Sequence, residues 1–578
     1  MLFLKKAVFM NSVLDILYHQ VLQRPHQPAL YYLDASLTYQ PITYQRMAGM
    51  ADQFSLALND WMSPGDNVVI WANNGWQWAI SDIAIQLSGG VSVPIYPTIG
   101  GDQLAYILDD AQPSVIITDA QTPEQWAQLS SLSYVKKVIV ISAASCHSAA
   151  ANIIDFDSAC ARYPMPETIR TKNWQKDRRK STLTMLYTSG TTGLPKAVPL
   201  THNNIVENFL GLLSVIPITS DDASISFLPL SHIFERTVGF FCVLGVGGRI
   251  YYAESIETLS RDLLIAKPSF IISVPRLYEK VYHSVWAKAK GVKRGMLTLA
   301  VAIGQRWPRP HWFGRMAHRI VFAKIHEKLG GNVRFLVTGG APISRVINTF
   351  FDAVGLPVVQ GYGLTETSPI ITVNLDGVIG SVGQPLKNVQ VRILDDGEVC
   401  VHGPSVFSGY QNTNNQGVFT DDGFFKTGDL GRWDNNGYLY ITGRKKELIV
   451  LSNGKNVAPN HVEDHLIHSS YIQQVVVVGD QRHYLVALVV IDVTAVSNAL
   501  GRPFSMTDSE VYTNAVQHIL TDCRRLSVPL ARFETIKKVA ILTTPFSIDG
   551  GELTPTLKYR RSEINKKYAS QIAALYDK

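Results

Sequence analysis

Residues 183–204 read LTMLYTSGTTGLPKAVPLTHNN. Thr184 to Tyr187 forms an apolar, strand-like run. It leads into Thr188-Ser189-Gly190-Thr191-Thr192-Gly193-Leu194-Pro195-Lys196, a loop of hydroxyls, glycines and one cation. Small residues let a backbone approach a polyphosphate, hydroxyls and N–H groups supply donors, and Lys196 supplies charge. The spacing is not that of a Walker A loop, which places Lys-Ser/Thr directly after Gly-x4-Gly. Composition alone would equally well describe a solvated surface turn.

On either side of this stretch, short apolar runs alternate with helix-length segments. DNVVIWA (66–72), VSVPIYP, PSVIITD (113–119) and VKKVIVI read as buried strands, and WQWAISDIAIQLS reads as a helix. The pattern resumes at SFIISVP and VRFLVTGG (333–340). Strands separated by helices imply a parallel sheet with crossover connections, hence an α/β fold. From about 380 to 443 the texture changes to short strands with Gly and Asn turns, as in VQVRILDDGEVCVHGP and WDNNGYLYITG, which predicts an antiparallel meander or small barrel. A smaller α+β unit follows, with a helix near NHVEDHLIHSS, strands IQQVVVVGD and YLVALVVID, a helix near Glu510 to Arg525, and TIKKVAIL. The expected division is a large domain over 1–443, with the β-rich subdomain about 380–443, and a mobile lid domain over 444–578.

Further strings follow in order. They are FLPLSHIFERTVG (227–239), SVPRLYEKVY (273–282), VRFLVTGGAPIS (333–344), GYGLTETSP (361–369), FKTGDLGRWDNNGYLYITGRKKELIVLSNGKNVAPNHVE (425–463) and LTPTLK (553–558). Together with the 188–196 loop they resemble the signature segments of the adenylate-forming (AMP-binding) superfamily. The Ser-His-x-x-Glu-Arg and Leu-Thr-Pro-Thr-Leu-Lys forms resemble its long-chain fatty acyl-CoA synthetases. The resemblance runs from about Ser12 to Tyr568 and departs at Trp307-Pro308-Arg309-Pro310-His311-Trp312, which matches no pattern.

The resemblance implies roles. Thr188, Ser189, Gly190, Thr191, Thr192, Gly193 and Lys196 hold the phosphates of ATP, and His232 lies near the acyl carboxylate. Gly340 and Ala341 let the flat base approach the backbone, and Tyr362 stacks on adenine. Thr365 contacts phosphate and Glu366 holds Mg²⁺. Asp429 accepts from the ribose hydroxyls, Arg444 reaches ribose or phosphate, and Lys446 occupies a hinge. Gly454 lies where the pantetheine arm of coenzyme A passes, and Lys558 is the catalytic lysine of adenylation. Each has a plainer reading when taken alone: His232 as a buried histidine, Glu366 as a surface carboxylate, Asp429 as a turn residue, Gly454 as a turn glycine with positive φ. Lys566 and Lys567 read as a solvated helix face.

The chemistry implied is ATP-dependent joining of a fatty acid to coenzyme A through acyl-AMP. Within the same fold, delivery to a carrier protein is the alternative; outside catalysis, the alternative is an acyl or nucleotide binder. Absence of Gly-x-Ser-x-Gly, and of a Gly-x-Gly-x-x-Gly loop opening a helix, argues against a hydrolase or a dehydrogenase. The net charge of +6 is spread along 578 residues, too thin for nucleic acid, and suits anionic ligands or peripheral contact with acidic lipid. Five scattered cysteines give neither a disulfide framework nor a zinc site, which fits a cytoplasmic protein, at most resting on a membrane's inner face. No apolar run reaches the roughly 20 residues of a membrane helix; the longest, Val238 to Val246, is broken by Gly239 and Gly245.

Overall fold

The computed structural model describes residues 10–120, 122–141, 151–166, 168–188, 194–306, 321–547, 550–554 and 558–577. Two compact units are present: residues 1–391 with 401–426, and residues 392–400 with 427–578.

The first unit contains the α/β layers that the strand–helix alternation predicts. Its largest sheet has seven strands, in the order Ile153–Asp155, Lys137–Val140, Val115–Thr118, Asn67–Trp71, Val91–Ile95, Thr182–Thr188, Lys196–Thr201. All neighbours are parallel except the last pair. Val115–Thr118 is buried at every position, as expected for a central parallel strand covered on both faces. Helix Trp76–Leu87 buries every residue from Trp78 to Leu87. A second sheet orders Ala223–Ser226, Arg249–Tyr252, Pro28–Leu33 and Tyr39–Thr43. A third joins Phe270–Ser273, Phe335–Thr338 and Val358–Tyr362 in parallel, then Thr372–Asn374 and Gln384–Pro385 antiparallel.

The loop at 189–193 therefore connects two antiparallel strands, with Thr188 opposite Lys196. The quoted stretch also encodes its own ending. Thr201 Oγ1 accepts from the Asn204 N–H while Asn204 Oδ1 accepts from the Thr201 N–H, a capping box that starts helix His202–Leu213. The apolar run at 238–246 is largely a π-helix, Glu235–Cys242. Wider turns of this kind concentrate at functional sites, and hydrophobic periodicity does not reveal them. Among the described residues no helix is long and apolar enough to cross a membrane.

In the second unit, residues 429–433 of strand Phe425–Trp433 pair antiparallel with Leu439–Arg444, and Ile449–Val450 with Asn456–Val457. Its core sheet sets Leu485–Ile491 between an antiparallel Ile472–Val478 and a parallel Ile536–Leu542. Leu485–Ile491 is buried at all seven positions because helices cover the sheet, among them Ser509–Leu526, whose Ala515 and Ile519 are fully buried.

Candidate active site

In the first unit, the positions flanking the 189–193 loop meet the Glu366 segment. The Lys196 ammonium lies 4.8 Å above the ring of Tyr410, and the Tyr410 hydroxyl donates to Glu366 Oε1 at 2.8 Å. Glu366 is 8% exposed and sits in the 3₁₀ turn Thr365–Thr367; its own carbonyl accepts from the Phe407 N–H at 2.8 Å. A cation, a phenol and a carboxylate thus stand in line. Ser189, Gly190, Thr191, Thr192 and Gly193 lie outside the described residues, as does the 307–312 segment.

A buried network anchors the strand that feeds this loop. Arg236 donates from Nε to Asp82 Oδ2 at 3.0 Å and from Nη1 to Thr184 Oγ1 at 2.6 Å, with both members of the ion pair fully buried. Ser92 Oγ donates to Asp82 Oδ1 at 2.7 Å. Thr184 lies in the loop's entry strand, and Arg236 follows His232 by one helical turn. The network therefore fixes His232 relative to the strand Thr182–Thr188. His232 Nδ1 accepts from the Phe234 N–H at 3.1 Å, and its ring lies 6.4 Å from that of Tyr96. Phe234 in turn packs under Gly339, where a Cβ would sit 3.1 Å from the ring. This contact brings the His232 segment against the Gly339-Gly340-Ala341 turn. Gly340 has φ +79, a conformation glycine adopts without a side-chain clash. Tyr362 ends the neighbouring strand half-buried, and its carbonyl accepts from the Ile371 N–H at 2.8 Å. Beside it Gly363 is obligatory, since a Cβ there would lie 1.7 Å from the Pro369 carbonyl oxygen.

Next to Arg236, Glu235 is fully enclosed, and burial pushes its carboxyl up to about 8 against a weaker lowering by Ser226. Gly239 makes the room: a Cβ there would meet the carboxylate at 2.6 Å.

In the second unit, Asp429 and Arg444 are register partners across paired strands, and Arg444 Nε donates to Asp429 Oδ1 at 2.6 Å. Asp429 is 5% exposed, whereas the Arg444 side chain is 40% exposed. Lys446 lies exposed in the 3₁₀ turn Lys445–Glu447, and Lys445 bridges Asp396 at 2.6 Å and Glu398 at 2.9 Å. Gly454 has φ +77 in the turn between Ile449–Val450 and Asn456–Val457, and a Cβ there would meet nothing within 4 Å. Both sequence readings of Gly454 survive, because the position needs positive φ and also faces open space. Lys558 is exposed at the foot of a hairpin closed by Thr554 N–H to Lys558 O at 2.8 Å and by pairing of Leu553 with Tyr559. Lys567 is not simply solvated: it pairs at 2.5 Å with Glu552, whose side chain is 4% exposed, and so fastens that hairpin to helix Arg561–Lys567.

Sequence reasoning missed Tyr410 and Asp82. Tyr410 sits in a turn-rich segment 44 residues from its partner Glu366, and Asp82 lies 154 residues before Arg236 in what reads as an ordinary buried helix. Only the unexpected charge inside that helix signals Asp82. Among the described residues no group of three or more His, Cys, Asp or Glu side chains could hold a metal. A lone shielded carboxylate such as Glu366 nevertheless fits Mg²⁺, which commonly takes one or two protein carboxylates and completes its shell with water and substrate phosphate.

Residues 17–411 match the AMP-binding enzyme family and residues 446–578 match the AMP-binding enzyme C-terminal domain. The chain belongs to this adenylate-forming family, and membership carries ATP, Mg²⁺ and coenzyme A as the small molecules used. Among similar proteins, a long-chain-fatty-acid–CoA ligase of Mycobacterium bovis is 35% identical over 542 residues, covering 89% of this chain and 88% of that one. Long-chain-fatty-acid–CoA ligase 1 of Homo sapiens is 32% identical, covering 93% and 82%. The adenylation domain of a carboxylate reductase from Mycobacterium chelonae shares the fold at TM-score 0.78 and 21% identity, covering 99% and 92%. An anthranilate CoA ligase bound to anthranoyl-AMP does so at 0.75 and 19%, covering 97% and 98%.

Proposed function

We propose that the protein is an AMP-forming acyl-CoA synthetase for long-chain fatty acids. The observation that carries this reading is the meeting of Lys196, the last residue of the hydroxyl- and glycine-rich sequence, with Tyr410 and Glu366. It offers charge for a polyphosphate and one hard oxygen for a cation in the same place. The relatives named as long-chain ligases, at 35% and 32% identity, support the substrate class.

The reaction has two steps. A carboxylate oxygen of the fatty acid attacks the α-phosphorus of ATP, the bond to the β-phosphate oxygen breaks, and pyrophosphate leaves. The thiolate of coenzyme A then attacks the acyl carbonyl and AMP leaves. In the first step both reactants are anions, so alignment and charge neutralisation dominate. Lys196 faces the departing phosphates, Lys558 the carboxylate and α-phosphate, and His232 the acyl carboxylate. Tyr362 stacks on adenine, Gly340 and Ala341 admit its edge, and Thr365 donates to phosphate. Asp429 and Arg444 take the ribose. Mg²⁺, when held by Glu366, neutralises phosphate charge. Lys558 serves the first step and the Gly454 turn the second, so we place the functional boundary at the 444–447 turn, with Lys446 as its hinge.

A panel of acids from acetate to oleate tests the substrate class. Each buried CH₂ adds about 0.8 kcal/mol, so kcat/KM is expected to climb with chain length toward C12–C18. Higher activity on acetate or benzoate would overturn it.

A further inference from the structure

The 407–412 segment holds Glu366 by its main chain as well as its side chain. The Phe407 N–H donates to the Glu366 carbonyl at 2.8 Å, and the Tyr410 hydroxyl donates to Glu366 Oε1 at 2.8 Å. Tyr410 is itself pinned. Its N–H donates to Asn415 Oδ1 at 2.8 Å, and Asn415 Nδ2 donates back to the Tyr410 carbonyl at 2.9 Å. Its ring meets that of Phe407 edge-on, with centroids 4.9 Å apart. The Gln411 N–H donates at 3.0 Å to the carbonyl of Ala197, the neighbour of Lys196. Asp110 joins the two sides: the Tyr187 hydroxyl donates to its Oδ2 at 2.6 Å, and Asn412 Nδ2 to its Oδ1 at 3.3 Å. A phenol fixed through its own backbone and its neighbours is preorganised. Lys196 and Glu366 flank this one ring, yet among the described residues they form no ion pair with each other.

We propose that Tyr410 is a positioning residue for the nucleotide site: its hydroxyl orients the Glu366 carboxylate and leaves Oε2 for Mg²⁺, while its ring keeps Lys196 off that carboxylate and available to phosphate. The role rests on the proposed function, in which Glu366 serves the metal and Lys196 the phosphates. Carboxylates that ligate metals are themselves hydrogen-bonded, and losing such a partner costs about 10–100-fold in metal affinity or activity. A phenol suits the task because it donates a hydrogen bond without bringing a charge that would repel the metal. A direct Lys196–Glu366 bridge would instead neutralise the cation a polyphosphate needs and the oxygen a metal needs.

The test is calorimetric binding of ATP to the full chain, without fatty acid or coenzyme A, in Mg²⁺ and in EDTA. The ratio of the two dissociation constants measures what the metal adds. Tyr410→Phe keeps the ring and removes the hydroxyl. It should cut that ratio at least ~10-fold, with affinity in EDTA within about twofold of native. Tyr410→Leu also removes the ring, and should further weaken binding in EDTA at least ~3-fold as Lys196 closes on Glu366. A native ratio in Tyr410→Phe, an equal loss in Mg²⁺ and EDTA, or no Mg²⁺ advantage in the native chain would overturn the proposal. Native affinity of Tyr410→Leu in EDTA would overturn the part given to the ring. Binding is read without turnover, so these failures separate from failure of the proposed activity. Fatty-acid-dependent pyrophosphate exchange by the native chain alongside any of them would leave the activity standing and remove Tyr410 from it.

Discussion

Two Arg–Asp pairs divide the labour between the units. Arg236–Asp82 in the first is wholly excluded from water and bound on several sides. Arg444–Asp429 in the second uses the same chemistry with its guanidinium 40% exposed. Exposure decides what each can do. A sealed pair has no route for exchange with a ligand and acts as scaffold. A pair open on one side, with its guanidinium in reach of water, can trade a partner for a ribose hydroxyl or a phosphate oxygen. The resemblance assigns both Asp429 oxygens to ribose; here Arg444 already occupies one of them, so nucleotide binding would share or displace that bond.

Arg236→Met should cost about 3–5 kcal/mol in urea unfolding, since it strands a buried carboxylate. Adding Asp82→Leu should recover part of the loss, and no recovery would mean packing outweighs charge.

Glu235, beside that scaffold, gives a pH signature. Its folded value is raised from 4.5 to about 8 by burial, so the folded state holds a proton that the unfolded chain has released. Its stabilisation is complete below about 4.5 and is lost as pH rises toward about 8, at up to ~1.4 kcal/mol per pH unit. Glu235→Gln should flatten that slope. An identical slope in both proteins would place the charge elsewhere.

Asp429→Ala should change stability by less than about 1 kcal/mol yet raise the KM for ATP at least ~10-fold. Parallel losses in both would make this pair scaffold too.

At the smallest scale, the positive φ of Gly454 alters the test of the pantetheine passage. Gly454→Leu is strained whatever the space, so it cannot separate the two readings. Gly454→Asn tolerates that backbone and should cost only a few tenths of a kcal/mol. If the passage is real, it still slows thioester formation from supplied acyl-AMP while sparing pyrophosphate exchange.

What the sequence made legible follows from range. Val115–Thr118 and Leu485–Ile491 announce themselves as buried strands because their signal is local and apolar. The capping box at Thr201 and Asn204 is equally local. Motif residues such as Lys196 and Glu366 were legible through resemblance, but their meeting through Tyr410 was not, since it depends on pairing between distant segments. The π-helix at Glu235–Cys242 escaped for another reason: apolar periodicity does not distinguish it from an α-turn broken by glycine. Lys567 looked solvated because its partner Glu552 lies 15 positions away on a hairpin.

On the proposed function, Glu366 belongs to a centre that forms acyl-AMP. Fatty-acid-dependent ATP–pyrophosphate exchange in the native protein and in Glu366→Gln, with melting temperature measured alongside, tests this. The account predicts exchange with palmitate in the native chain and a loss of at least ~100-fold in the variant, with the melting temperature within a few degrees. Native-level exchange in Glu366→Gln at saturating Mg²⁺, or no exchange in the native chain with any fatty acid, would contradict it.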